Sequence, residues 1–419
     1  MSSPAGATWA KNLEYSAREL VEPTGVEELA AVLSGADRVR MLGSRHSFNR
    51  VADTTGTMVG LGRMPVQVEV DEDRRVVRTS GGITFGELGA RLQEQGWALH
   101  AMASLPHITV AGGVSTDTHG SGDGAPSLAE GVAAVEVVTT GGEHVRLERG
   151  DEEFDGAVVA LGMLGALVTL ELDIEPTYDV AQTVYDGLTW EQVATDLDAV
   201  TGLGTSVSVF TDWLDRDRTT QVWVKQRVDR PGGDPDALGL TVAGEPRHPH
   251  RGNRADSCTE QGGIPGPWLD RLPHFRLEFT PSNGAELQSE WLLPRAGAAA
   301  AIEVLQGLAA QMAPVLHGCE MRTVAAGRQW LGMTQGVDCV AFHFTWRPEQ
   351  AAVTALLPRI EAGFAPLGAR PHWAKLFAED ALAGRVHELY PQLARVRALR
   401  GRLDPRGALR NDFLDRLGI

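Results

Sequence analysis

Two pairs of polar residues interrupt otherwise apolar stretches near residues 320 and 343, and they are candidates for chemistry. Glu320 and Arg322 stand two apart in CEMRT, and His343 and Thr345 stand two apart in FHFTW. A strand places residues i and i+2 on the same face, so each pair projects together. Burying Glu, Arg and His is costly unless they are paired or functional. The pattern indicates either a buried ion-pair network or one wall of an active site, and periodicity alone does not decide between them.

Two glycine-rich polar segments indicate a second kind of site, a cradle for a pyrophosphate. They read 41-MLGSRHSFN-49 and 110-VAGGVSTDTHGSG-122, and each follows or interrupts an apolar stretch. Glycine permits positive φ and lets bare backbone N–H groups approach a ligand. A single loop of this type is usually an ordinary turn, whereas two of them favour a ligand held by backbone amides. His46, at the centre of the first loop, is a candidate ligand.

Helices and strands around these segments would position them. Helices are predicted over 26–35, 84–96, 297–312 and near 349–366, and Thr84 and Glu87 have capping-box spacing. Alternating hairpins are predicted over 66–82 and 132–149. Alternation also predicts an open antiparallel sheet, with strands in 206–213, 220–228, 275–295, 315–326 and 338–346. This mixture predicts an α+β fold rather than a doubly wound parallel sheet.

Composition and charge exclude several classes of function. The chain has 419 residues, enough for two domains, and 43% of them are hydrophobic. A formal net charge of −17 argues against nucleic-acid partners and anionic membranes. Three widely spaced cysteines do not form a disulfide framework, and the pair His248 and His250 lacks a partner at metal-site spacing. No secretory signal or membrane-spanning apolar run is visible, so a cytoplasmic protein without metal is predicted.

These segments together resemble the flavin-binding domain of the vanillyl-alcohol oxidase superfamily and, within it, the alditol oxidases. The first loop is similar to the family's G-S-x-H-S-F, and 103-ASLPH-107 with the second loop is similar to its ASLPH, VAG and THGSG blocks. The later blocks that resemble the family are 320-EMRTVAA-326, 343-HFTW-346 and 372-HWAK-375. The similarity covers nearly the whole chain, from Trp9 and Asn12 to 404-DPRGALRN-411.

The resemblance implies a two-domain vanillyl-alcohol-oxidase-type FAD-binding fold with an antiparallel-sheet cap domain. By this reading, residues 1–176 form the FAD domain, 177–375 form the substrate cap, and 376–419 return to the FAD domain. It also implies FAD, joined covalently through His46. The residues that it implies for cofactor binding are Leu42, Gly43, Ser44, Arg45, His46, Ser47, Ser104, Gly112, Ser115, Thr118, His119, Gly120, Val168 and His372.

Two loop residues depart from the family pattern, because Arg45 and Asp117 stand where small residues or glycine are expected. Asp tolerates left-handed backbone better than most residues. The Arg45 side chain would point either outward or toward a phosphate. These departures leave the implied roles in place.

The resemblance implies oxidation of the terminal primary alcohol of a sugar alcohol such as xylitol, sorbitol or glycerol, with hydride transfer to flavin N5 and O₂ reduced to H₂O₂. The residues that it implies for substrate binding are Ser104, Glu320, Arg322, Thr345 and Lys375, and the implied catalytic residues are Arg322, Lys375, His343 and Glu320. Arg322 and Lys375 would stabilise developing negative charge. Either His343 or Lys375 would be the base, and the sequence does not rank them. A monomer acting on a small polyol and O₂ is predicted.

Two alternatives remain open from the sequence. An aldonolactone oxidase or dehydrogenase of the same superfamily shares the flavin loops, the E-x-R pair and the H-W-x-K block, and differs in pocket shape. A flavoprotein or sugar-binding protein without turnover is the second alternative. Such a protein would not need Arg322 and Lys375 together with a base.

Overall fold

The computed structural model describes residues 5–279 and 286–419. Its first part holds three sheets. The elements in chain order are β1 (Glu19–Val21), α1 (Val26–Gly35), β2 (Val39–Leu42), β3 (Thr57–Gly60), β4 (Val68–Asp71), β5 (Val76–Ser80), α2 (Phe85–Glu94), β6 (Trp97–Ala98), α3 (Val110–Ser115), β7 (Val132–Val138), β8 (His144–Glu148), α4 (Phe154–Ala157), β9 (Ala166–Asp173) and β10 (Glu175–Pro176). The sheets are a parallel β1-β3-β2 set, an antiparallel β4-β5-β9-β7-β8 set, and the pair β10-β6.

The second part is built on one large antiparallel sheet. Its elements are β11 (Asp179–Asp186), α5 (Trp190–Thr195), α6 (Leu197–Thr201), β12 (Ser206–Thr211), β13 (Gln221–Arg227), β14 (Thr241–Val242), β15 (Pro265–Pro267), β16 (Leu287–Pro294), α7 (Ala298–Met312), β17 (Leu316–Val324), β18 (Cys339–Trp346), α8 (Gln350–Phe364) and β19 (Arg370–Pro371). The strand order is β14-β11-β13-β12-β17-β18-β16-β19, and β15 also pairs with β11. Strand β18 therefore lies between β17 and β16.

The two faces of this sheet differ in chemistry, and the difference follows from strand alternation. Trp291 and Phe342 lie on one face, where both rings contact Phe364 of α8. The Trp291 indole N–H also donates to Glu361 of α8 at 2.9 Å. Residues one position away, such as Glu290 and His343, project from the opposite face. Helix packing on the apolar face thus directs the polar residues toward the first part of the chain.

The last helices fold back onto the first part. They are α9 (Glu379–Ala383), α10 (Val386–Leu389), α11 (Leu393–Leu403) and α12 (Asp412–Leu417). Thr140 donates to Asp404 at 2.8 Å, and Arg40 donates to the Leu409 carbonyl at 2.9 Å. The Asn411 amide donates to the Asp53 carbonyl at 2.9 Å. These bonds join the tail to β2 and to the loops around it.

Most of the predicted elements are confirmed. The helices over 26–35, 84–96, 297–312 and 349–366 and both predicted hairpins are present, and Thr84 and Glu87 form the predicted capping box. In the central strands of the large sheet both faces are buried, and alternation separates an apolar face from a polar one. In the described part of the chain, no helix is long and apolar enough to cross a membrane.

Two local predictions were wrong. Residues 110–115, expected as loop, form α3, because Val110 and Val114 stack one turn apart and are both buried. The strand expected from 275 begins only at Leu287, since the His274 and Arg276 N–H groups donate to the carbonyls of Ser104 and Ser257. Part of that expected strand, 280–285, lies outside the described residues.

Candidate active site

A cavity of about 390 Å³ lies between the glycine-rich segments and the polar face of the large sheet. One end is lined by the first loop, the start of α3 and the backbone of Gly81 and Gly82. The other end is lined by polar residues of β16, β17 and β18. The two sets of candidate residues therefore belong to one site.

The first loop presents His46 to this cavity. Its Nδ1 lies 3.0 Å from the Ser44 carbonyl oxygen, which can only accept a hydrogen bond, so Nδ1 carries the hydrogen. Its ring stacks on Trp9 with centroids 5.1 Å apart. Burial lowers the pKa of His46 to about 4. The ring is therefore neutral, and its buried Nε2 has no hydrogen-bond partner among residues 5–279 and 286–419. A neutral imidazole with a free nitrogen fits covalent attachment to an electrophilic carbon.

The glycine-rich walls fit a large planar cofactor because the backbone comes close where side chains would not fit. A Cβ on Gly81 would lie 2.1 Å from the Leu167 carbonyl oxygen, and one on Gly82 would lie 2.6 Å from that of Leu61. A Cβ on Gly43 would meet the Thr109 hydroxyl at 2.6 Å, so this loop packs directly on α3. At these positions the backbone of the cavity wall packs so closely on neighbouring segments that only glycine fits.

Arg45 and Asp117 both adopt left-handed backbone, with φ of 66° and 58°. The Arg45 guanidinium donates to the Ala5 carbonyl at 2.7 Å, so it ties down the N-terminal segment. A carboxylate oxygen of Asp117 accepts from the Met333 N–H at 2.6 Å, and burial raises the pKa of Asp117 to about 7. The two departures from the family pattern therefore keep the loop conformation and add contacts to other segments.

At the other end of the cavity, three polar residues lie side by side on three neighbouring strands. Glu320, His343 and Glu290 are in register across β17, β18 and β16. Arg322 lies one alternation further along β17, and Thr345 lies one alternation further along β18. The predicted same-face pairing is confirmed, and this stripe is both an ion network and a cavity wall.

Glu290 is the centre of that network, and the sequence analysis did not single it out. It is fully buried, and its oxygens lie 2.8 Å from Arg322, 2.5 Å from Lys375 and 3.3 Å from His119. Burial alone would raise the pKa of Glu290, but the charges of Lys375 and Arg322 outweigh this and hold it well below its usual range. The available signal was alternation in 287-LQSEWLLP-294, where Gln288 and Glu290 share a face.

Glu320 holds the second half of the network. One oxygen accepts from His274 Nε2 at 2.9 Å, and the other lies 3.5 Å from His343 Nδ1. Burial opposes its charge, and Arg322 at 3.8 Å with His274 holds the pKa of Glu320 well below its usual range. Burial, together with the Lys375 charge, lowers the pKa of His343 to about 4. His343 is thus neutral, and its buried Nε2 has no hydrogen-bond partner within the described part of the chain.

Arg322 and Lys375 bring the two halves of the molecule together. Arg322 donates to the Ser104 hydroxyl at 3.2 Å, which links β17 to the ASLPH segment. The Asn49 amide donates to the Lys375 carbonyl at 2.8 Å, which links the first loop to the HWAK segment. Burial lowers the pKa of Lys375, while Glu290 opposes the shift.

Comparison with known proteins agrees with this arrangement. Two family models match the chain, a FAD binding domain over residues 17–148 and D-arabinono-1,4-lactone oxidase over residues 284–417. An alditol oxidase from Streptomyces sp. is 45% identical over 416 residues, 98% of this chain and 98% of that protein. The chain belongs to the FAD-linked oxidases, in the branch of the alditol and aldonolactone oxidases. FAD is therefore its cofactor, and the chain is an enzyme.

Other relatives in this family are more distant. An L-gulono-1,4-lactone dehydrogenase from Mycobacterium tuberculosis is 26% identical over 440 residues, 99% of this chain and 99% of that protein. The crystal structure of cholesterol oxidase from B. sterolicum has a TM-score of 0.78 and covers 99% of this chain and 96% of that chain, at 12% sequence identity. That likeness confirms the predicted vanillyl-alcohol-oxidase-type fold and carries no information about substrate.

Most residues that the sequence suggested for the FAD-linked oxidase site border this cavity. Those of the predicted sets that line it are Leu42, Gly43, Ser44, Arg45, His46, Ser47, Ser104, Gly112, Ser115, Thr118, His119, Glu320, Arg322, His343, Thr345, His372 and Lys375. Gly120 and Val168 lie behind the lining. The Gly120 carbonyl is 2.8 Å from His119 Nδ1, and the Val168 carbonyl accepts from the Gly81 N–H at 2.8 Å. Both therefore support residues of the wall through their backbone.

Proposed function

We propose that this enzyme oxidises the terminal primary alcohol of sugar alcohols such as xylitol, sorbitol and glycerol to the aldose. Bound FAD would supply the hydride acceptor for the carbon of the alcohol, and its reoxidation by O₂ would give H₂O₂. The 45% identity to an alditol oxidase supports this substrate class. The cavity supports it as well, because the charges of Arg322 and Lys375 are balanced by those of Glu290 and Glu320. A balanced polar wall suits a neutral molecule with several hydroxyls.

The observation that carries the proposed chemistry is the His343 ring, which feels the charges of Lys375 and Arg322 and whose Nε2 has no hydrogen-bond partner among the described residues. His343 Nδ1 faces the Glu320 carboxylate, which can only accept, so the hydrogen of the neutral ring is on Nδ1. Its Nε2 is then an acceptor for the substrate hydroxyl proton. Lys375 donates to Glu290 at 2.5 Å and is held as an ammonium. We therefore assign the role of base to His343 rather than to Lys375.

Arg322 and Lys375 would stabilise the oxygen as it loses its proton. Both side chains are fixed by Glu290, and Arg322 is fixed also by Ser104. Donors held in place at a developing negative charge cost no reorganisation during reaction. Glu320 and Thr345, which line the same wall, would hold the remaining hydroxyls of the polyol.

The proposal includes covalent attachment of FAD at His46, supported by its neutral ring and free nitrogen. The glycine-rich wall would hold the rest of the cofactor. The proposal also divides the chain into a FAD domain, 1–176, a cap, 177–375, and a returning segment, 376–419. That the enzyme is a cytoplasmic monomer stays a prediction from the sequence.

Oxidation of an aldonolactone is the second candidate, because the lactone oxidase model matches residues 284–417. It predicts that L-gulono-1,4-lactone or D-arabinono-1,4-lactone reduces the flavin faster than xylitol. Dehydrogenase behaviour would appear as reduced flavin that air reoxidises slowly.

The deciding experiment is anaerobic stopped-flow absorbance at 450 nm with xylitol, followed by admission of air. Rapid bleaching, reversed by air with one H₂O₂ formed per flavin, is expected. The two lactones are tested at matched concentrations. A flavin that xylitol leaves oxidised but a lactone reduces would replace the first proposal with the second.

A further inference from the structure

Lysine is scarce in this chain, and its positions are informative. Of 38 basic residues only Lys11, Lys225 and Lys375 are lysines, and the others are arginines. Lys375 lines the cavity of the candidate active site, whereas Lys225 is 1% exposed and is not among the residues that line it. An ammonium is a compact point charge with three donors, whereas a guanidinium is larger and planar. A buried lysine in an arginine-rich chain indicates a place that needs the compact donor.

Lys225 lies on the same face of the large sheet as the reaction site. Trp223, Ser208 and Arg322 are in register across β13, β12 and β17. Lys225 follows Trp223 by two positions, so it points to the face that carries Arg322. Its strand, β13, contributes none of the site residues assigned above, and its contact with the site runs through His274, which lines the cavity.

The Lys225 ammonium has a complete set of acceptors. Its Nζ lies 2.5 Å from the Leu272 carbonyl, 2.8 Å from the Pro273 carbonyl and 3.1 Å from His274 Nδ1. Three N–H groups thus meet three acceptors, which is the full capacity of an ammonium. Burial lowers the pKa of Lys225 to about 7, and the Glu320 charge opposes the shift.

The ammonium determines which nitrogen of His274 carries hydrogen. Because Lys225 donates to Nδ1, the hydrogen of the neutral ring is on Nε2, which donates to Glu320 at 2.9 Å. Burial and the Lys225 charge both lower the pKa of His274, so the ring stays neutral. Phe210 and Trp223 contact the ring edge-on, with centroids 5.7 Å and 5.4 Å away, and they hold its plane.

We propose that Lys225 and His274 are positioning residues that fix the orientation of Glu320, and through it the hydrogen on Nδ1 of His343. The direction of donation runs from Lys225 to His274, then to one oxygen of Glu320, whose other oxygen accepts from His343. Reversal at any link would place two lone pairs or two hydrogens against each other. The chain of bonds therefore leaves Nε2 of His343 free toward the cavity.

This inference rests on the proposed function, since it assigns the device that prepares the proposed base. Loss of Lys225 leaves His274 free to place its hydrogen on Nδ1, so that a bare Nε2 faces the Glu320 carboxylate. Glu320 would then turn away or take up a proton, and His343 would populate the other tautomer. Substrate hydroxyls would still find Arg322 and Thr345, so binding should change less than the reaction step.

The test compares Lys225→Met with Lys11→Met, the same substitution at an exposed lysine. In anaerobic stopped-flow with xylitol, Lys225→Met should lower the limiting rate of flavin reduction by roughly 10–100-fold, by analogy with the loss of residues that orient metal-binding histidines. The apparent Kd for xylitol should change less than about threefold, and Lys11→Met should match the wild type.

A second pair of variants covers the case in which Lys225→Met does not fold. His274→Gln keeps an N–H for Glu320 and should retain most of the rate, whereas His274→Phe fits the aromatic surroundings but has no donor and should lose it. Equal rates in these two variants, or a Lys225→Met rate within about threefold of the wild type, would overturn the proposal.

A measurement without substrate separates this inference from the proposed function. Nitrogen-15 NMR of the flavoprotein labelled at histidine should report His343 with hydrogen on Nδ1, and a mixture of tautomers in His274→Phe. If xylitol and the other polyols fail to bleach the wild type, the proposed function is lost, and the tautomer comparison still decides this proposal. An unchanged His343 tautomer in His274→Phe would refute it.

Discussion

Replacing Glu290 by Gln removes one negative charge from the centre of the ion network while keeping the shape of the side chain. Its oxygens lie 2.8 Å from Arg322 and 2.5 Å from Lys375. At an effective dielectric constant of about 20, each contact corresponds to an attraction of about 6 kcal/mol. Desolvation of the charges cancels much of this, and removing one partner of a buried ion pair costs about 3–5 kcal/mol. We expect the free energy of unfolding to fall by about that amount.

The same substitution should slow the reaction. Without Glu290, burial of Lys375 is no longer opposed by that charge, so the pKa of Lys375 falls further and its ammonium is lost more readily. Loss of one fixed donor at a developing negative charge typically costs about 10²–10³ in rate. Anaerobic stopped-flow with xylitol measures this rate, and denaturant titration measures the stability.

Glu361→Gln is the matched control, because Glu361 is buried on the opposite face of the sheet and accepts from Trp291 at 2.9 Å. Burial raises the pKa of Glu361, which is opposite to the direction for Glu290. The control should keep the wild-type rate and lose little stability. If Glu290→Gln behaves like Glu361→Gln in both assays, the account of the network is refuted.

The pH dependence of this stability difference has a definite sign. The pKa of Glu290 in the folded state lies well below its usual value of 4.5. A depressed carboxyl pKa contributes stability that is present above the unfolded pKa and lost as the pH falls through the folded one. The gap between wild type and Glu290→Gln should therefore be full above about pH 5 and shrink in stronger acid.

Three further predictions address the remaining parts of the site. His46→Ala should release the flavin on acid precipitation, and flavin that stays with the protein would place the link elsewhere. Because burial lowers the pKa of His343 to about 4, the rate of anaerobic flavin reduction should fall only as the pH drops through about 4. A loss of rate near pH 6.5 in pH-jump stopped-flow would contradict this. A Cβ on Gly318 would lie 2.7 Å from His250 Nδ1, so Gly318→Ala should displace that ring from the cavity wall. If this part of the wall contacts the far end of the longer polyol, the ratio of kcat/KM for sorbitol over glycerol should fall by roughly 10-fold, and equal losses for both substrates would show that it does not.

Local sequence patterns were sufficient to predict the features that depend only on residue spacing. The capping box at Thr84 and the same-face pairs in β17 and β18 depend on spacing alone, and both are confirmed. Resemblance to a family supplied Lys375 and Ser104, which spacing alone would not have identified. Residues 110–115 were wrongly predicted as a loop because the two glycines were given more weight than Val110 and Val114. The burial of these two valines depends on tertiary packing.

Glu290 was missed for a different reason, which is the order of strands in the sheet. β17 and β18 follow each other along the chain and are adjacent, but β18 also pairs with β16, which precedes both. The alignment of Glu320, His343 and Glu290 depends on the pairing of β16 with β18 and on the register of that pair. Alternation within one strand predicts neither the pairing nor the register. A slip of one residue in β16 would turn Trp291 toward the cavity and Glu290 toward α8. The packing of Trp291 on α8 therefore fixes the register that places Glu290 between Arg322 and Lys375.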